Sequence, residues 1–261
     1  RRTLRGHSVQ GYSVNVRFTE EKGILYRHWN NGDVFLLDIA HKKMRKAERY
    51  AIAFERLKGL FPDAQTELNY NTPFQLLVAV ILSAQCTDKR VNLVTPELFK
   101  RFPTAKEMSE SSEEEILKYI KSISYPNAKS RNLLKMSQRL ESVYNGILPE
   151  TREELTTLAG VGRKTANVIC AVLYNQSVMP VDTHVHRVSR RIGLTDKAKT
   201  PLDTEKQLMS NLKNESDIAL LHHRLILLGR YICKARKPEC KECTLKDCCK
   251  LYETKKHSEQ I

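Results

Sequence analysis

The stretch Leu158-Ala-Gly-Val-Gly-Arg-Lys-Thr-Ala166 decides the fold. Upstream of it, Thr151 followed by Glu154 reads as a capping box that opens a short helix ending near Leu158. Gly160 and Gly162 then allow a tight hairpin through backbone angles closed to other residues. A second helix starts at about Arg163 and continues to about Tyr174. Residues 151–174 therefore read as a helix-hairpin-helix. The backbone N–H groups of Gly160, Val161 and Gly162 lie at a helix N-terminus, a natural cradle for a phosphate, and Arg163 adds positive charge. Such a grip fixes register on a nucleic acid without reading its sequence.

Lys164 has two readings. It is a phosphate-binding lysine, or it is a nucleophile. An amine attacks only when neutral, and a helix N-terminus, the neighbouring Arg163 and burial all disfavour the ammonium. Asp182 also has two readings. It stands in Pro180-Val-Asp-Thr-His-Val-His-Arg187, where a new helix should begin, so an N-cap role is available. Chain geometry permits more. A helix from Arg163 to Tyr174 carries the chain roughly 18 Å from Lys164. Residues 175–181 span about 23 Å when extended, enough to bring Asp182 back beside Lys164. An amine next to a carboxylate, beside a phosphate-gripping hairpin, suits chemistry at a deoxyribose carbon.

Charge points to a polyanion. The 261 residues carry 44 Lys+Arg against 30 Asp+Glu, a net charge of +14. Hydrophobic residues make up 41%, enough for a real core, and no apolar run is long enough for a membrane span. From Met44 onward the pattern is helical. Thr72-Pro73 is an N-cap followed by proline at the first helical position. The run Phe74-Gln-Leu-Leu-Val-Ala-Val-Ile-Leu82 is apolar on nearly every face, so it belongs inside a globule. Thr87 or Asp88 caps the next helix. Segments 109–121 and 127–144 are amphipathic, with a turn at Ser124-Tyr-Pro-Asn127 between them. Further helices are expected over 203–213 and 218–231.

Residues 1–43 differ. Tyr12–Thr19 alternates apolar and polar, and Val34–Leu37 follows the turn signal Asn30-Asn-Gly-Asp33. The expectation is a β-hairpin appendage, or upstream sequence foreign to the native protein, with a second domain over 44–261.

Four cysteines near the C-terminus are spaced Cys233-x6-Cys240-x2-Cys243-x5-Cys249. Thiolates so grouped fit a [4Fe–4S] cluster or, less well, zinc, whose structural sites favour two short pairs. Cys248, beside Cys249, competes as a ligand. With seven cysteines, no signal peptide and a sizeable core, disulfides are the weaker reading, and a reducing, cytoplasmic compartment is expected.

From about Met44 onward the chain resembles endonuclease III, a bifunctional DNA glycosylase and abasic-site lyase of the helix-hairpin-helix superfamily. The resemblance rests on Leu82-Ser-Ala-Gln-Cys-Thr-Asp88, Leu158–Asn167, Val181-Asp-Thr-His-Val-His-Arg-Val188 and the cysteine loop. It implies an all-α protein of two lobes with DNA at the cleft between them, and a [4Fe–4S] cluster in the 233–249 loop. It implies that Lys164 is the nucleophile, Asp182 the essential carboxylate, and Cys233, Cys240, Cys243 and Cys249 the cluster ligands. Gln85 would fill the space left by an expelled base, and Ser124 or Tyr125 would enter the DNA stack. Lys234, Arg236 and Lys237 of the cysteine loop would meet phosphates. The implied partner is double-stranded DNA bearing a damaged base or abasic site, and the implied protein is a monomer of a bacterial cytoplasm, associated with the nucleoid. The implied reaction removes damaged, oxidised pyrimidines through a lysine Schiff base and cuts the strand 3′ to the site by β-elimination. A monofunctional adenine-type glycosylase is the alternative, but it lacks a lysine at the position of Lys164. A non-catalytic helix-hairpin-helix DNA-binding protein is a further one, and it would need no Asp182.

Overall fold

The computed structural model describes residues 17–21, 24–28, 34–37, 44–212 and 217–258. By its internal contacts the chain separates into two compact units, Arg1–Arg45 and Lys46–Ile261.

The first unit holds a three-stranded antiparallel meander: β1 (Arg17–Glu21), β2 (Ile24–His28) and β3 (Val34–Leu37). Arg17 pairs with His28 and Glu21 with Ile24, while Leu25 pairs with Leu37. The expected hairpin is thus a sheet with an additional central strand. Ile24–His28 escaped the sequence reading because its apolar and polar residues do not alternate cleanly. The expected strand over 12–19 overlaps β1 only at 17–19. Residues 12–16 and the Asn30–Asp33 turn lie outside the described residues.

The second unit is helical. α1 (Lys46–Leu60), α2 (Pro73–Ser83), α3 (Asp88–Arg101), α4 (Ala105–Ser109), α5 (Glu113–Ile120) and α6 (Pro126–Tyr144) are followed by α7 (Arg152–Leu155) and α8 (Arg163–Leu173). Then come α9 (Thr183–Ile192), α10 (Pro201–Asn211), α11 (Ile218–Leu227) and α12 (Lys250–Ser258). Capping works as read. Thr72 accepts from the Gln75 amide with Pro73 in the first turn, and Thr87 rather than Asp88 caps α3. The segment 109–121 breaks in two, because Ser112 starts a new cap for α5 and α4 closes by Glu110.

Two lobes share the body. The larger core runs from Leu68 to Cys170 and is built on α2, whose side chains from Phe74 to Leu82 are all buried. Burying each Leu or Ile there contributes roughly 1.5–3 kcal/mol, which suits the central helix of a globule. The smaller lobe packs α1, α9, α11 and α12 around the cysteine segment, and α8 touches α2 on one side and α11 on the other. α11 ends in a π-helical turn, Leu228–Ile232, that leads directly into Cys233.

Candidate active site and cysteine cavity

The hairpin forms much as its sequence dictates, with two changes. Thr151 caps α7 by accepting from the Glu154 amide at 3.2 Å, and Glu154 bonds back to the Thr151 hydroxyl at 2.5 Å rather than to its amide. Gly160 is left-handed (φ +78°), and a Cβ there would come within 3.1 Å of Asn132. Gly162 is extended (φ −89°) with open space around it, so only the first glycine is required by backbone geometry. Gly162 is the N-cap of α8 without a side-chain cap bond, which leaves that helix start to the backbone.

Lys164, in the first turn of α8, is exposed. Burial was expected and is not found: the side chain lies at the mouth of a cavity instead of inside a core. Arg163 does not act on it as a free charge either. Its guanidinium donates to both oxygens of Glu205 (3.0 and 2.6 Å), and that bond holds its pKa above the ordinary value.

The loop from α8 to α9 returns the chain as the reach argument required. Lys164 and Asp182 line the same cavity, about 520 Å³ including its open mouth, together with Ser83, Asp88, His222 and Arg230. Asp182 also serves as a cap, its Oδ1 accepting from the Val185 amide at 2.7 Å. The cap reading is thus seen directly, and it uses one of the two carboxylate oxygens.

Sequence reasoning missed most of the remaining wall. His222 is buried, its Nδ1 has no hydrogen-bond partner, and it faces Lys164, Arg230 and the Pro180 carbonyl. Desolvation first, then the neighbouring positive charges, hold its pKa well below 6.5. His223 is pushed down to about 4, mainly by burial and also by Arg230. Arg230 donates to Asp88 at 2.7 Å and to Glu67. These partners are up to 163 positions apart in sequence, and only the doubled histidine on an apolar helix hinted at them.

One face of α6 gathers the loops expected to meet DNA. Tyr125 is its N-cap, left-handed (φ 57°) and 65% exposed, and Ser124 precedes it. One turn on, Lys129 is buried and donates to the Leu82 and Ala84 carbonyls at 2.7 Å each, closing the end of α2 next to Gln85. Burial lowers its pKa. Asn132, two turns along, packs against Gly160. The spacing i, i+4, i+7 puts these three side chains on one helix face. Gln85 is itself left-handed (φ 54°) and exposed. The Gln85 loop, the Ser124–Tyr125 turn and the Gly160 hairpin are thus all anchored on α6.

The four spaced cysteines also come together. Cys233, Cys240, Cys243 and Cys249 line one cavity walled by Ile192, Leu228, Leu245 and Leu251. Cys248 does not line it. It is fully buried, and its thiol donates to the Leu245 carbonyl. The donors around the sulfurs suit thiolate ligands: the Leu251 and Tyr252 amides act on Cys249, the Leu245 amide acts on Cys243, and Arg191 reaches the Cys233 sulfur at 3.5 Å. As free thiols Cys243 and Cys249 are disfavoured in the charged form, by burial first, which pushes Cys249 up to about 11. Among the described residues, no three His, Cys, Asp or Glu side chains converge tightly enough to grip a single ion. An apolar-walled cavity edged by four sulfurs, three of them with N–H donors, fits an iron–sulfur cluster. In the loop, Lys234, Arg236 and Lys237 are exposed, with Lys234 bonded to Glu239.

The sequence matches the family model of the HhH-GPD superfamily base excision DNA repair proteins over residues 78–214. Endonuclease III of Rickettsia felis is 47% identical over 199 residues, covering 76% of this chain and 92% of that protein. Endonuclease III of Bacillus subtilis is 42% identical over 207 residues, covering 79% and 94%. The chain belongs to the endonuclease III family. Among solved structures, a non-covalent endonuclease III–DNA complex superposes with a TM-score of 0.76 at 40% identity, covering 82% of this chain and all of that one. A trapped endonuclease III–DNA covalent intermediate gives 0.74 at 40%, covering 80% and 98%. A thermostable thymine-DNA glycosylase, 19% identical with a TM-score of 0.72 over 79% of this chain and 98% of that one, shares the fold. Membership makes this chain a base excision DNA repair enzyme, a DNA glycosylase with abasic-site lyase activity that acts on damaged pyrimidines. The helical body is that of the family, and the β-meander lies in the other unit.

Proposed function

We propose that Lys164 and Asp182 carry that reaction, on duplex DNA whose damaged pyrimidine is oxidised. The observation that supports this most is the meeting of Lys164 and Asp182 in one cavity, although 18 residues of chain separate them. The Gly160 and Gly162 N–H groups hold a phosphate, the Val161 N–H being bonded instead to the Leu158 carbonyl at 3.1 Å, and exposed Gln85 and Tyr125, with Ser124, occupy the space vacated as the nucleotide rotates out. Neutral Lys164 attacks the sugar C1′ and the base departs with the bonding pair. Asp182 takes a proton from the attacking amine and offsets positive charge on the sugar. The imine acidifies the C2′ proton. Its removal expels the 3′ phosphate and breaks the strand.

Cys233, Cys240, Cys243 and Cys249 would hold a [4Fe–4S] cluster, which supplies structural closure of the loop rather than electrons. Arg187 and Arg191 position that loop through the Cys233, Lys234 and Ala235 carbonyls, so Lys234, Arg236 and Lys237 present their charges outward. The protein works as a monomer on bacterial chromosomal DNA in the cytoplasm. Among the described residues no helix is long and apolar enough to cross a membrane.

The test is borohydride trapping on duplex DNA containing an oxidised pyrimidine. Lys164→Gln should abolish the trapped complex and strand cleavage while retaining DNA binding, because an amide cannot form an imine. Persistent trapping would assign the nucleophile to another amine. Asp182→Asn separates the two uses of that residue, since asparagine caps a helix as well as aspartate does. Turnover should fall by about 10²–10⁴-fold with little change in melting temperature. An unchanged rate would leave Asp182 as a cap alone.

A further inference from the structure

Along α9, beyond Asp182, lies a second concavity. It is open, about 1020 Å³, and lined by Arg187, Arg190, Arg191, Lys197 and Lys250, with His186 at its edge. No carboxylate lines it. Three acids of the neighbouring segments are engaged elsewhere: Asp196 with Lys46, Asp203 with the Lys199 and Thr200 amides, Glu253 with Arg49. Arg187 and Arg191 donate only to carbonyls, His184 and a cysteine sulfur, so neither is ion-paired, although Asp182 acts on Arg187 electrostatically. Arg190, Lys197 and Lys250 make no ion pair among the described residues.

Fold stability does not account for this grouping. Arg190 and Arg191 suit the C-terminal turn of α9, but Lys250 opens α12, where the helix dipole repels a cation. Gathering five cations in one groove costs self-repulsion unless an anion lies there. The groove and the proposed reaction site also share a helix, since Asp182 caps α9 and four of the groove residues lie on it. His186 and Arg190 follow Asp182 at i+4 and i+8, along one side of α9. Residues 186 to 191 lie roughly 6–13 Å along the helix axis from Asp182, a distance of about two to four base pairs of duplex. Arg191 further ties the groove to the backbone of the exposed, basic 234–237 loop.

We infer that this groove is a second phosphate-binding track, holding the backbone of the same DNA duplex on one side of the damaged nucleotide. The inference rests on the DNA-lyase reading above. Its partner is the sugar–phosphate backbone, so the contact is independent of base sequence.

The experiment uses the full chain with its iron intact. Fluorescence anisotropy measures binding to a 25-base-pair duplex carrying a central abasic-site analogue, from 50 to 300 mM salt. The triple variant Arg190→Gln/Lys197→Gln/Lys250→Gln should bind at least about tenfold more weakly at 50 mM, and its log K against log salt plot should be shallower by about two to three, at roughly 0.9 per phosphate lost. Duplexes cut back to two base pairs on one side or the other of the lesion locate the track. Truncation on one side should erase the difference between variant and unaltered chain, and truncation on the other should preserve it. An unchanged salt slope on the intact duplex overturns the inference, as does a difference insensitive to both truncations. Should the triple variant lose its fold, Lys250→Glu alone repeats the test with an expected slope change of about one or more. If the unaltered chain itself showed no preference for the lesion duplex, the lyase reading would fail first, and that outcome is distinct from an unchanged slope.

Discussion

From Phe74 to Leu82 every side chain is buried, whereas between Cys233 and Cys249 only Leu245 and Cys248 are. The first stretch is a single helix in the middle of an apolar core. The second has one short 3-10 turn and is fixed from outside, by Arg191 on the Cys233, Lys234 and Ala235 carbonyls and by Arg56 on the Thr244 carbonyl and Asp247. Hydrophobic burial makes the helix self-sufficient. The loop has no core of its own, so a group that joins its four thiolates supplies folding free energy directly.

The sharpest way to break this contrast is to remove one ligand. Cys249→Ser should lose the iron, about four atoms per chain, together with the broad absorbance near 400 nm expected of a [4Fe–4S] centre. Helix content by circular dichroism should fall only slightly, because α2 and its neighbours do not depend on the loop. Cys248→Ser should retain the iron, since Cys248 does not line the cavity and its thiol donates to the Leu245 carbonyl. Retention of iron in the first variant with loss in the second would move the fourth ligand by one residue. A general collapse of helix content in Cys249→Ser would show that the two regions are not independent.

The same contrast explains what could be read in advance. α2 was legible because its signals are local: a Thr-Pro start and an unbroken apolar run. The hairpin was legible from its glycines, and the cysteine loop from spacing alone. What stayed hidden was relational. Gly162 looks like Gly160 in sequence, yet only Gly160 is left-handed. Arg163 reads as a free cation until Glu205, 42 residues later, comes beside it. Lys164 was expected to be buried, but a helix N-terminus at a cavity mouth leaves its side chain in solvent. Tyr125, Lys129 and Asn132 share a helix face that periodicity could have revealed, but their partners at Ala84 and Gly160 lie on other elements.

A second, smaller effect probes the helix that joins the two regions. α11 carries His222 and His223 in the body and then runs through the π turn into Cys233. Both histidines are held neutral by burial first; His223, then Lys164 and Arg230 add to this for His222, and Arg230 does so for His223, where Asp88 opposes. In the unfolded chain they bind protons near pH 6.5, while folded His223 waits until about 4. Below 6.5 the unfolded state therefore holds more protons, and stability falls with pH. Urea unfolding at matched iron content should be flat above about pH 7. Between 6.5 and 5 it should lose up to about 1.4 kcal/mol per pH unit for each histidine. His223→Phe should remove part of that slope, the rest coming from His222 and from His184 and His186, whose pKa burial also lowers. A profile level down to pH 5 would mean that these imidazoles are already charged in the folded body.

The smallest effect is expected from residues 1–43. The β-meander there has strands of four or five residues in three rows, a size that is marginal by itself. The segment holds eight Lys+Arg and four Asp+Glu, so its removal lowers the net charge by four, from +14 to +10. The match to the family model falls wholly in the helical unit, at residues 78–214. A chain beginning at Met44 should therefore fold, keep its iron and cleave abasic DNA at nearly the rate of the longer chain. Binding should weaken modestly, and more at low salt than at high, because the loss is electrostatic. Single-turnover cleavage by both chains at 50 and 200 mM salt measures it. A tenfold loss of rate at saturating enzyme with iron intact would give the strands a place in the working site. The molecule would then have a third region whose contribution is neither apolar burial nor thiolate ligation.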